Sequence, residues 1–167
     1  MTRTPPQTPS LPDTHRLSTI AVGRTLVLAA ALAGAIPVVA EESVGMVKTL
    51  KAPAFVIRQG EELPARIGMP VYAADRLKTG KEGTLGVALR DDTLLSAGPN
   101  STLAVERFAF NSSTHEGGML LSVIKGTLSM ISGLIVKANP EAARIRTPQA
   151  TIGIRGTEFV VEVEGED

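Results

Sequence analysis

The sequence predicts one all-β domain behind a short leader, and three observations support this. Beyond residue 43 the chain is a series of short runs rich in Val, Ile, Leu and Thr, separated by Gly, Pro, Asn and Asp. Such runs are typical of β-strands and their turns. Apolar residues nowhere keep the helical period of about 3.6 residues over several turns. Near the C-terminus, Ile152, Ile154, Phe159 and Val161 occupy alternate positions within their runs, which indicates a sheet with one buried face.

Residues 1–40 have the pattern of a secretory signal peptide. Three arginines and one acid precede an uncharged apolar run over residues 25–40, and this run ends in small residues. Such an ending is what cleavage after Ala40 requires. The run is shorter than the roughly 20 residues that span a bilayer. We therefore expect cleavage, and a periplasmic or secreted domain over residues 41–167. An uncleaved membrane anchor is the alternative.

Charge and cysteine content narrow the classes of partner. The formal net charge is +0 and the chain contains no Cys. Without a basic run we expect no binding of nucleic acid, and contact with a membrane only through an uncleaved leader. The domain cannot use disulfides, so it must depend on its core for stability.

The predicted strands follow the apolar runs in chain order. Gly60, Gly80 and Gly98 are expected in turns, where positive φ is needed. One helical turn is expected at Glu141–Ala143, after Pro140. The predicted strands are Val44–Leu50, Ala54–Arg58, Asp75–Thr79, Thr84–Leu89, Thr93–Ser96, Thr102–Phe110, Met119–Lys125, Thr127–Ile131, Leu134–Lys137, Arg144–Thr147, Thr151–Arg155 and Glu158–Val163.

Two parts of the chain resemble each other. Arg76–Thr79 followed by Thr84–Val87 has the same order of basic, aliphatic and Thr residues as Arg144–Thr147 followed by Thr151–Ile154. A solenoid, in which equivalent rungs stack on one another, would produce such an internal repeat. The predicted fold is therefore a short β-solenoid or β-roll of stacked short strands.

Residues suited to catalysis or metal binding are scarce. Residues 41–167 contain one histidine, His115, in a polar loop, and a histidine base needs a partner that orients it. One His without Cys cannot supply a zinc site. Asp91-Asp92 lacks the ligand spacing of a calcium loop and is expected to be a solvated hairpin tip. We predict no cofactor and no metal, and we predict that the chain is not an enzyme.

The dipeptide Gly156-Thr157 has two interpretations. In a strained turn, the Thr hydroxyl could attack the unhindered Gly carbonyl and cleave the chain through an ester. Alternatively, Gly forms a turn and Thr begins a strand, as in Gly83-Thr84 and Gly126-Thr127. We favour the structural turn and keep self-cleavage as the alternative.

Five segments occur in an order that resembles the FecR domain family. The closing one is the most specific, and the resemblance extends from about Val44 to Val163. The segments are Asp75–Gly80, Leu85–Asp91, Gly98–Val105, Lys125–Leu128 and Ile145–Phe159. The positions that match the family's motif residues are Asp75, Thr79, Gly80, Gly126, Thr147, Pro148, Arg155, Gly156, Thr157 and Phe159.

The resemblance implies a β-solenoid or β-roll in the periplasm of a Gram-negative bacterium, and cleavage in some members at the bond that maps onto Gly156-Thr157. The best-known members also hold a sigma factor through a cytoplasmic segment and contact a transporter through a later domain. This chain has a short stretch before its apolar run, and no later domain is expected after Asp167. Sigma-factor regulation is therefore not expected. Asp92 stands where a hairpin glycine is usual in the family.

The predicted function is that of an exported, non-enzymatic binding module of the FecR type. It would sense or relay an envelope signal through contacts with an envelope protein or surface ligand. The alternative is a structural or adhesion module of the cell surface. Because strand edges can accept a partner strand, the first strand, Val44–Leu50, and the last, Phe159–Val163, are the candidate contact sites.

Overall fold

The computed structural model describes residues 42–165, and this part of the chain is all-β apart from one short helix and one turn of 3-10 helix at Pro140–Ala142. The predicted leader lies outside the described residues. The elements are β1 Gly45–Lys51, β2 Ala54–Arg58, β3 Glu61–Pro64, β4 Pro70–Val71, β5 Arg76–Thr79, β6 Thr84–Leu89, β7 Leu94–Ala97, β8 Thr102–Phe110, β9 Gly117–Ile131, α1 Leu134–Ala138, β10 Ala143–Arg146, β11 Thr151–Gly153 and β12 Glu158–Val163.

Most predicted strands are confirmed, and three predictions need correction. Strands β3 and β4 were not predicted, because β3 carries two glutamates and β4 has two residues. The two strands predicted on either side of Gly126 form the single strand β9. The segment Leu134–Lys137 is helical rather than extended.

Tertiary contacts explain the helix at Leu134. The backbone carbonyl of Asp91 accepts a hydrogen bond from the Leu134 N–H at 2.7 Å. The Asp91 carboxylate accepts a hydrogen bond from the Ile135 N–H at 3.4 Å, so the first two N–H groups of the helix are satisfied from another part of the chain. Gly133 permits this approach, because a Cβ there would lie 2.7 Å from Thr93 Oγ1. The hydrophobicity of Leu134–Lys137 fits a strand or a buried helix equally well.

Strand β9 links two groups of strands. Its C-terminal part pairs with β7 and β12, and its N-terminal part pairs with β8 and β10. We call the order β4-β1-β6-β7-β9-β12 sheet 1, and the order β3-β2-β5-β8-β9-β10-β11 sheet 2. Gly126 lies where the pairing of β9 changes, with φ +83°. This left-handed conformation is costly for residues that have a Cβ.

One hydrophobic core receives side chains from both sheets. Alternate residues of most strands point into it. The predicted one-face burial is confirmed for Ile154, Phe159 and Val161, which pack in or against this core, and is wrong for Ile152, which is 39% exposed on β11. Val47, Val87 and Met130 represent sheet 1, while Leu77, Val123 and Ile145 represent sheet 2, and all six are almost completely buried. Helix α1 adds Ile135 and Val136 to the same core.

The strand pairing does not confirm the solenoid or β-roll. Within residues 42–165 the pairs are antiparallel except for β9 with β10, whereas stacked solenoid rungs repeat one local geometry. The two parts of the chain that resemble each other in sequence also pair differently. Strands β10 and β11 pair with each other, but β5 pairs with β2 and β8, and β6 pairs with β1 and β7.

Candidate functional site

The closing motif forms one turn, one short strand and one exposed corner. After β10, Thr147 closes a turn through its N–H and hydroxyl, which donate to the Ala150 carbonyl at 2.8 and 3.2 Å. Pro148 is exposed within this turn. Arg155 is also exposed, at the corner between β11 and β12, and Phe159 on β12 is half-buried against the core.

The Gly156-Thr157 bond is exposed, and no packing surrounds it. Gly156 has φ +119°, and a Cβ built there would meet no atom within 4 Å. The Thr157 carbonyl accepts a hydrogen bond from the Ser132 N–H at 2.7 Å, which ties the start of β12 to the end of β9. Among residues 42–165, the Thr157 hydroxyl has no hydrogen-bond partner that could act as a base. The turn geometry accounts for the glycine, and self-cleavage stays the untested alternative to the structural turn.

Asp75 is buried and holds three parts of the chain together. Its carboxylate accepts hydrogen bonds from Arg58 Nε at 3.0 Å, from an Arg58 terminal nitrogen at 2.8 Å and from the Tyr72 N–H at 2.8 Å. The Arg58 guanidinium also lies 4.4 Å from the Tyr72 ring centroid. Each carboxylate oxygen is satisfied by a charge-assisted bond, and the arrangement joins β2 to the start of β5.

Thr79, Gly80 and Gly126 meet around Ser101. The Thr79 hydroxyl donates to the Gly98 carbonyl at 2.6 Å and accepts from the Ser101 N–H at 2.9 Å. A Cβ at Gly126 would lie 2.5 Å from Ser101 Cα. Gly80 donates to the Pro53 carbonyl and accepts from Asn100. These motif residues therefore fasten loops together, and their side chains do not converge on a cavity with the closing motif.

The hairpin tip between β6 and β7 differs from the prediction at one of its two aspartates. Asp91 is fully buried rather than solvated, and its carboxylate accepts from Thr93 Oγ1 at 2.7 Å and from the Thr93 N–H at 3.2 Å. Asp92 is exposed with φ +64°. This is the conformation that the family's usual glycine would adopt, and Asp tolerates it better than most residues.

Side chains suited to metal binding are scattered within residues 42–165. These residues contain no group of three or more His, Asp or Glu side chains placed to hold a metal ion. His115 is exposed, and its ring stacks on Phe110 with a centroid distance of 6.4 Å. This placement agrees with the solvated loop that the sequence predicts.

The outer face of sheet 1 carries an exposed apolar row. The register places Pro70, Met46, Ala88, Leu94 and Ile131 side by side on five consecutive strands. The exposed fractions are 43% for Met46, 47% for Leu94 and 41% for Ile131. Monomeric proteins rarely leave contiguous apolar surface of this kind exposed unless it binds a partner.

A second row of small residues lies beside the apolar row. Thr49, Gly86, Ser96 and Ser129 are paired across β1, β6, β7 and β9, and Val160 continues the row on β12 with 63% of its surface exposed. Their small size leaves a shallow cavity of about 250 Å³ between Lys48 and Ile131. No charged side chain comes from the outer face of β6, β7 or the sheet 1 part of β9. We call these two rows the uncharged face.

One edge of the uncharged face is an unpaired strand. Among the described residues, β12 pairs with β9 alone, which leaves a side on which its backbone groups can bind another strand. The first strand is different, because β1 lies between β6 and β4. Of the two edges that the sequence predicts, the C-terminal one is confirmed and the N-terminal one is wrong.

The sequence reasoning missed the uncharged face, although a signal was present. Strands with one buried face alternate apolar and polar residues. Consecutive apolar pairs at Leu94-Leu95, Met130-Ile131 and Val160-Val161 depart from that alternation. Each pair places one residue inside and one outside, so the departures mark the exposed apolar residues.

A family model for the FecR protein matches residues 75–167, which is more than half of the chain. The chain belongs to the FecR family. The match includes the whole closing motif and the edge strand of the FecR domain. No curated protein and no solved structure matches the chain. Within residues 42–165, the FecR chain contains no helix long and apolar enough to cross a membrane.

Proposed function

We propose that this FecR-family chain is an exported, non-enzymatic module that binds an envelope protein and relays a signal through that contact. The observation that carries the proposal is the uncharged face, which ends at the free edge of β12. Export is proposed from the leader pattern of residues 1–40.

The partner proposed for this surface is an extended protein segment. Backbone N–H and C=O groups on the open side of β12 can add a strand, and this supplies affinity without a deep pocket. Side chains of the added segment would then reach Val160 and Ile131, where burying exposed apolar area is favourable by about 25 cal/mol per Å². Glu158 and Glu162 point to the same outer side of β12, so basic residues in the segment would complement them.

The alternative, a structural or adhesion module of the cell surface, uses the same face. Thr84, Ser96, Thr127 and Ser129 present hydroxyl groups on its central strands. Hydroxyl groups can donate and accept hydrogen bonds, so they could contact surface carbohydrate. A partner inside the envelope supports signalling, whereas a ligand on the outside of the cell supports adhesion.

The test is site-specific photo-crosslinking in intact cells that express the full chain. A photoreactive amino acid replaces Leu94, and a second strain carries it at Ile67, which is exposed in the loop between β3 and β4. We expect a discrete protein adduct from position 94 and none from position 67. Val160→Asp should remove the adduct. Equal labelling from both positions, or no protein adduct at 94, would refute this site.

Intact mass of the same protein tests export and the closing motif. Loss of residues 1–40 is the expected result, because it marks cleavage after Ala40. A chain that remains joined across Gly156-Thr157 is expected if the corner is structural. Two fragments that separate at this bond would show that self-cleavage occurs.

A further inference from the structure

The outer face of sheet 2 collects basic residues that are far apart in the sequence. Cross-strand pairing places Arg76, Ala104, Ser122 and Arg146 in one row. A neighbouring row contains Arg107, Leu120, Arg144 and Gly153. Lys78 and Lys125 lie on the same side of sheet 2, because each of them pairs with Thr102. We call this surface the basic face.

Its acidic residues are already paired. Glu62 accepts from Lys78 Nζ at 3.0 Å, and Glu106 accepts from Arg146 at 2.9 Å. By contrast, Arg107 and Arg144 are exposed and have no carboxylate partner among residues 42–165. Two cationic side chains therefore remain available in the same row, one on each side of Leu120.

A groove with an apolar floor lies between these two arginines. It has a volume of about 530 Å³ and is lined by Arg107, Arg144 and Leu120, by Phe108 and Met119, by small residues and by the paired Glu106. Leu120 is only 7% exposed although its register position is on the outer side of the sheet. The small linings are Ala73, Ala109, Gly118 and Ala142.

An extended peptide that crosses the strands can reach both arginines of the groove. Arg107 and Arg144 flank Leu120 from the two neighbouring strands, so their backbones are about 10 Å apart, or two strand spacings. In an extended peptide, residues that point the same way are about 7 Å apart. In a segment with the order acid, any, apolar, any, acid, the two acids are about 14 Å apart. The long side chains of Arg107 and Arg144 can bridge the difference from about 10 Å, so each arginine can meet one carboxylate while the apolar side chain lies over Leu120.

The chemistry of the groove favours a peptide over a lipid or a sugar. Guanidinium groups bind carboxylates with paired hydrogen bonds, which adds geometric specificity to the charge attraction. The floor is open to solvent at exposed Ala109, so an acyl chain would remain partly in water. The aromatic residue that lines the groove, Phe108, is half-buried against the core, and the Arg90 guanidinium lies 5.8 Å from its ring centroid. It therefore offers a poor platform for a sugar ring.

We propose that this groove is a second binding site, separate from the uncharged face, which takes an acidic peptide segment of a partner protein. Arg107 and Arg144 bind its two carboxylates, and Leu120 contacts the apolar side chain between them. Gly153, which has open space where a Cβ would be, leaves Arg144 accessible from the β11 side.

The test is fluorescence anisotropy of the purified full chain with labelled pentapeptides. The main probe is Glu-Ser-Leu-Ser-Glu, and the comparison probes are Gln-Ser-Leu-Ser-Gln and Glu-Ser-Ser-Ser-Glu. We expect the main probe to bind at least about tenfold more tightly than the uncharged probe, as loss of two charge-assisted contacts requires. It should also bind more tightly than the probe without Leu.

Matched variants locate the binding. Arg107→Gln combined with Arg144→Gln should weaken binding of the main probe about tenfold or more. Arg76→Gln combined with Lys125→Gln removes the same charge from the same face outside the groove, and should change binding less than about threefold because of screening. Thermal unfolding of each variant checks that the fold is retained.

Three results would overturn the proposal. Equal weakening by both double variants would mean that the basic face attracts any anion without a specific groove. Equal affinity for the probes with and without Leu would remove the role of Leu120. Binding to vesicles of anionic phosphatidylglycerol, without binding to the acidic peptide, would assign the arginines to a lipid surface. Crosslinking at Leu94 reports on binding at the uncharged face alone. The proposal for the groove and the proposed function can therefore be refuted independently of each other.

Discussion

The outer faces of the two sheets come from one chain and share one core, yet their surface chemistry is opposite. On sheet 1, Met46, Leu94 and Ile131 form an exposed apolar row that crosses strands without outward charges. On sheet 2, the corresponding outward positions include Arg76, Arg107 and Arg144. The inner faces of both sheets are alike, since both are lined with aliphatic residues.

This difference shows that folding and binding place separate demands on a strand. Burial constrains the inward residues, because each exposed aliphatic side chain would lose about 1.5–3 kcal/mol of burial. The outward residues have no such constraint, and they can be apolar on one sheet and basic on the other without changing the core. An uncharged face suits close packing against another protein, whereas a basic face suits oriented attraction of anions.

The largest effect is expected at Gly126, where the two sheets meet. Gly126→Val would force a side chain into positive φ and against Ser101, and should lower the free energy of unfolding by about 3 kcal/mol or more. Both faces should then lose binding together. Chemical denaturation followed by circular dichroism measures the change.

Gly153→Ala is the matched control for Gly126. Its Cβ would meet no atom within 4 Å, and its φ is outside the positive range. We expect a change within about 0.5 kcal/mol. If Gly126→Val were as mild as this control, the two faces would not depend on the positive φ of Gly126 in β9.

A second large effect is expected at Asp91, which fastens the hairpin between β6 and β7 to the start of α1. Asp91→Ala removes the acceptor of the Thr93 hydroxyl and of the Thr93 and Ile135 N–H groups. Leaving buried donors unsatisfied should lower the free energy of unfolding by about 2–4 kcal/mol. Hydrogen exchange should locate the loss at β7 and α1 before the basic face is affected.

The neighbouring residue provides the control for Asp91. Asp92 is exposed at φ +64°, so Asp92→Gly should leave stability unchanged or raise it, by less than about 1 kcal/mol. A strong loss of stability in Asp92→Gly would mean that the hairpin depends on the Asp92 side chain rather than on its backbone conformation.

Salt concentration should have a moderate effect on binding, and this effect should differ between the two faces. Raising NaCl from about 0.05 to 0.5 M shortens the screening length severalfold, and should weaken binding of the acidic peptide to the basic face about tenfold. The Leu94 crosslink should lose much less of its yield over the same range, because apolar burial is not weakened by salt and the charged contacts proposed there are limited to Glu158 and Glu162. Equal salt dependence would contradict the contrast between the faces.

The smallest expected effect comes from releasing one arginine at the groove. Glu106→Gln frees Arg146 from its 2.9 Å ion pair and should raise affinity for the acidic peptide about two- to threefold. The stability change should stay below about 1 kcal/mol, since the pair is partly exposed.

Glu62→Gln serves as the control for Glu106→Gln, because it frees Lys78 outside the groove with the same change of charge. Its effect on peptide affinity should be smaller. If both variants raise affinity equally, net charge rather than the groove determines binding.

Several parts of the fold were predictable because their signals are local. Strands β2, β6, β8 and β12 have the bounds that alternation and turn residues predict. The hairpin at Gly60 was also predictable, and Gln59 and Gly60 both have positive φ, as a tight hairpin turn requires. Helix α1 was not predictable, because its first N–H groups are satisfied by Asp91, more than forty residues earlier in the chain.

The contacts of the motif residues were likewise not predictable from local sequence. Matching to the FecR pattern identified Thr79 and Gly126 as important, but their common contact with Ser101 depends on strands that are distant in sequence. The basic groove is a stronger case. Arg107 and Arg144 become neighbours only because β8 and β10 pair with opposite sides of β9.

The sequence by itself determined the all-β class, most strand bounds, the family motifs and the absence of Cys, because these depend on composition and on neighbours along the chain. The tertiary structure alone decided which edge is open and where unpaired charge and exposed apolar residues gather. The net charge of +0 does not indicate that one face is uncharged and another basic, because a sum over residues does not say where on the surface each charge lies. Strand pairing determines those positions, because it brings side chains that are distant in the sequence within a few ångströms of each other on one surface.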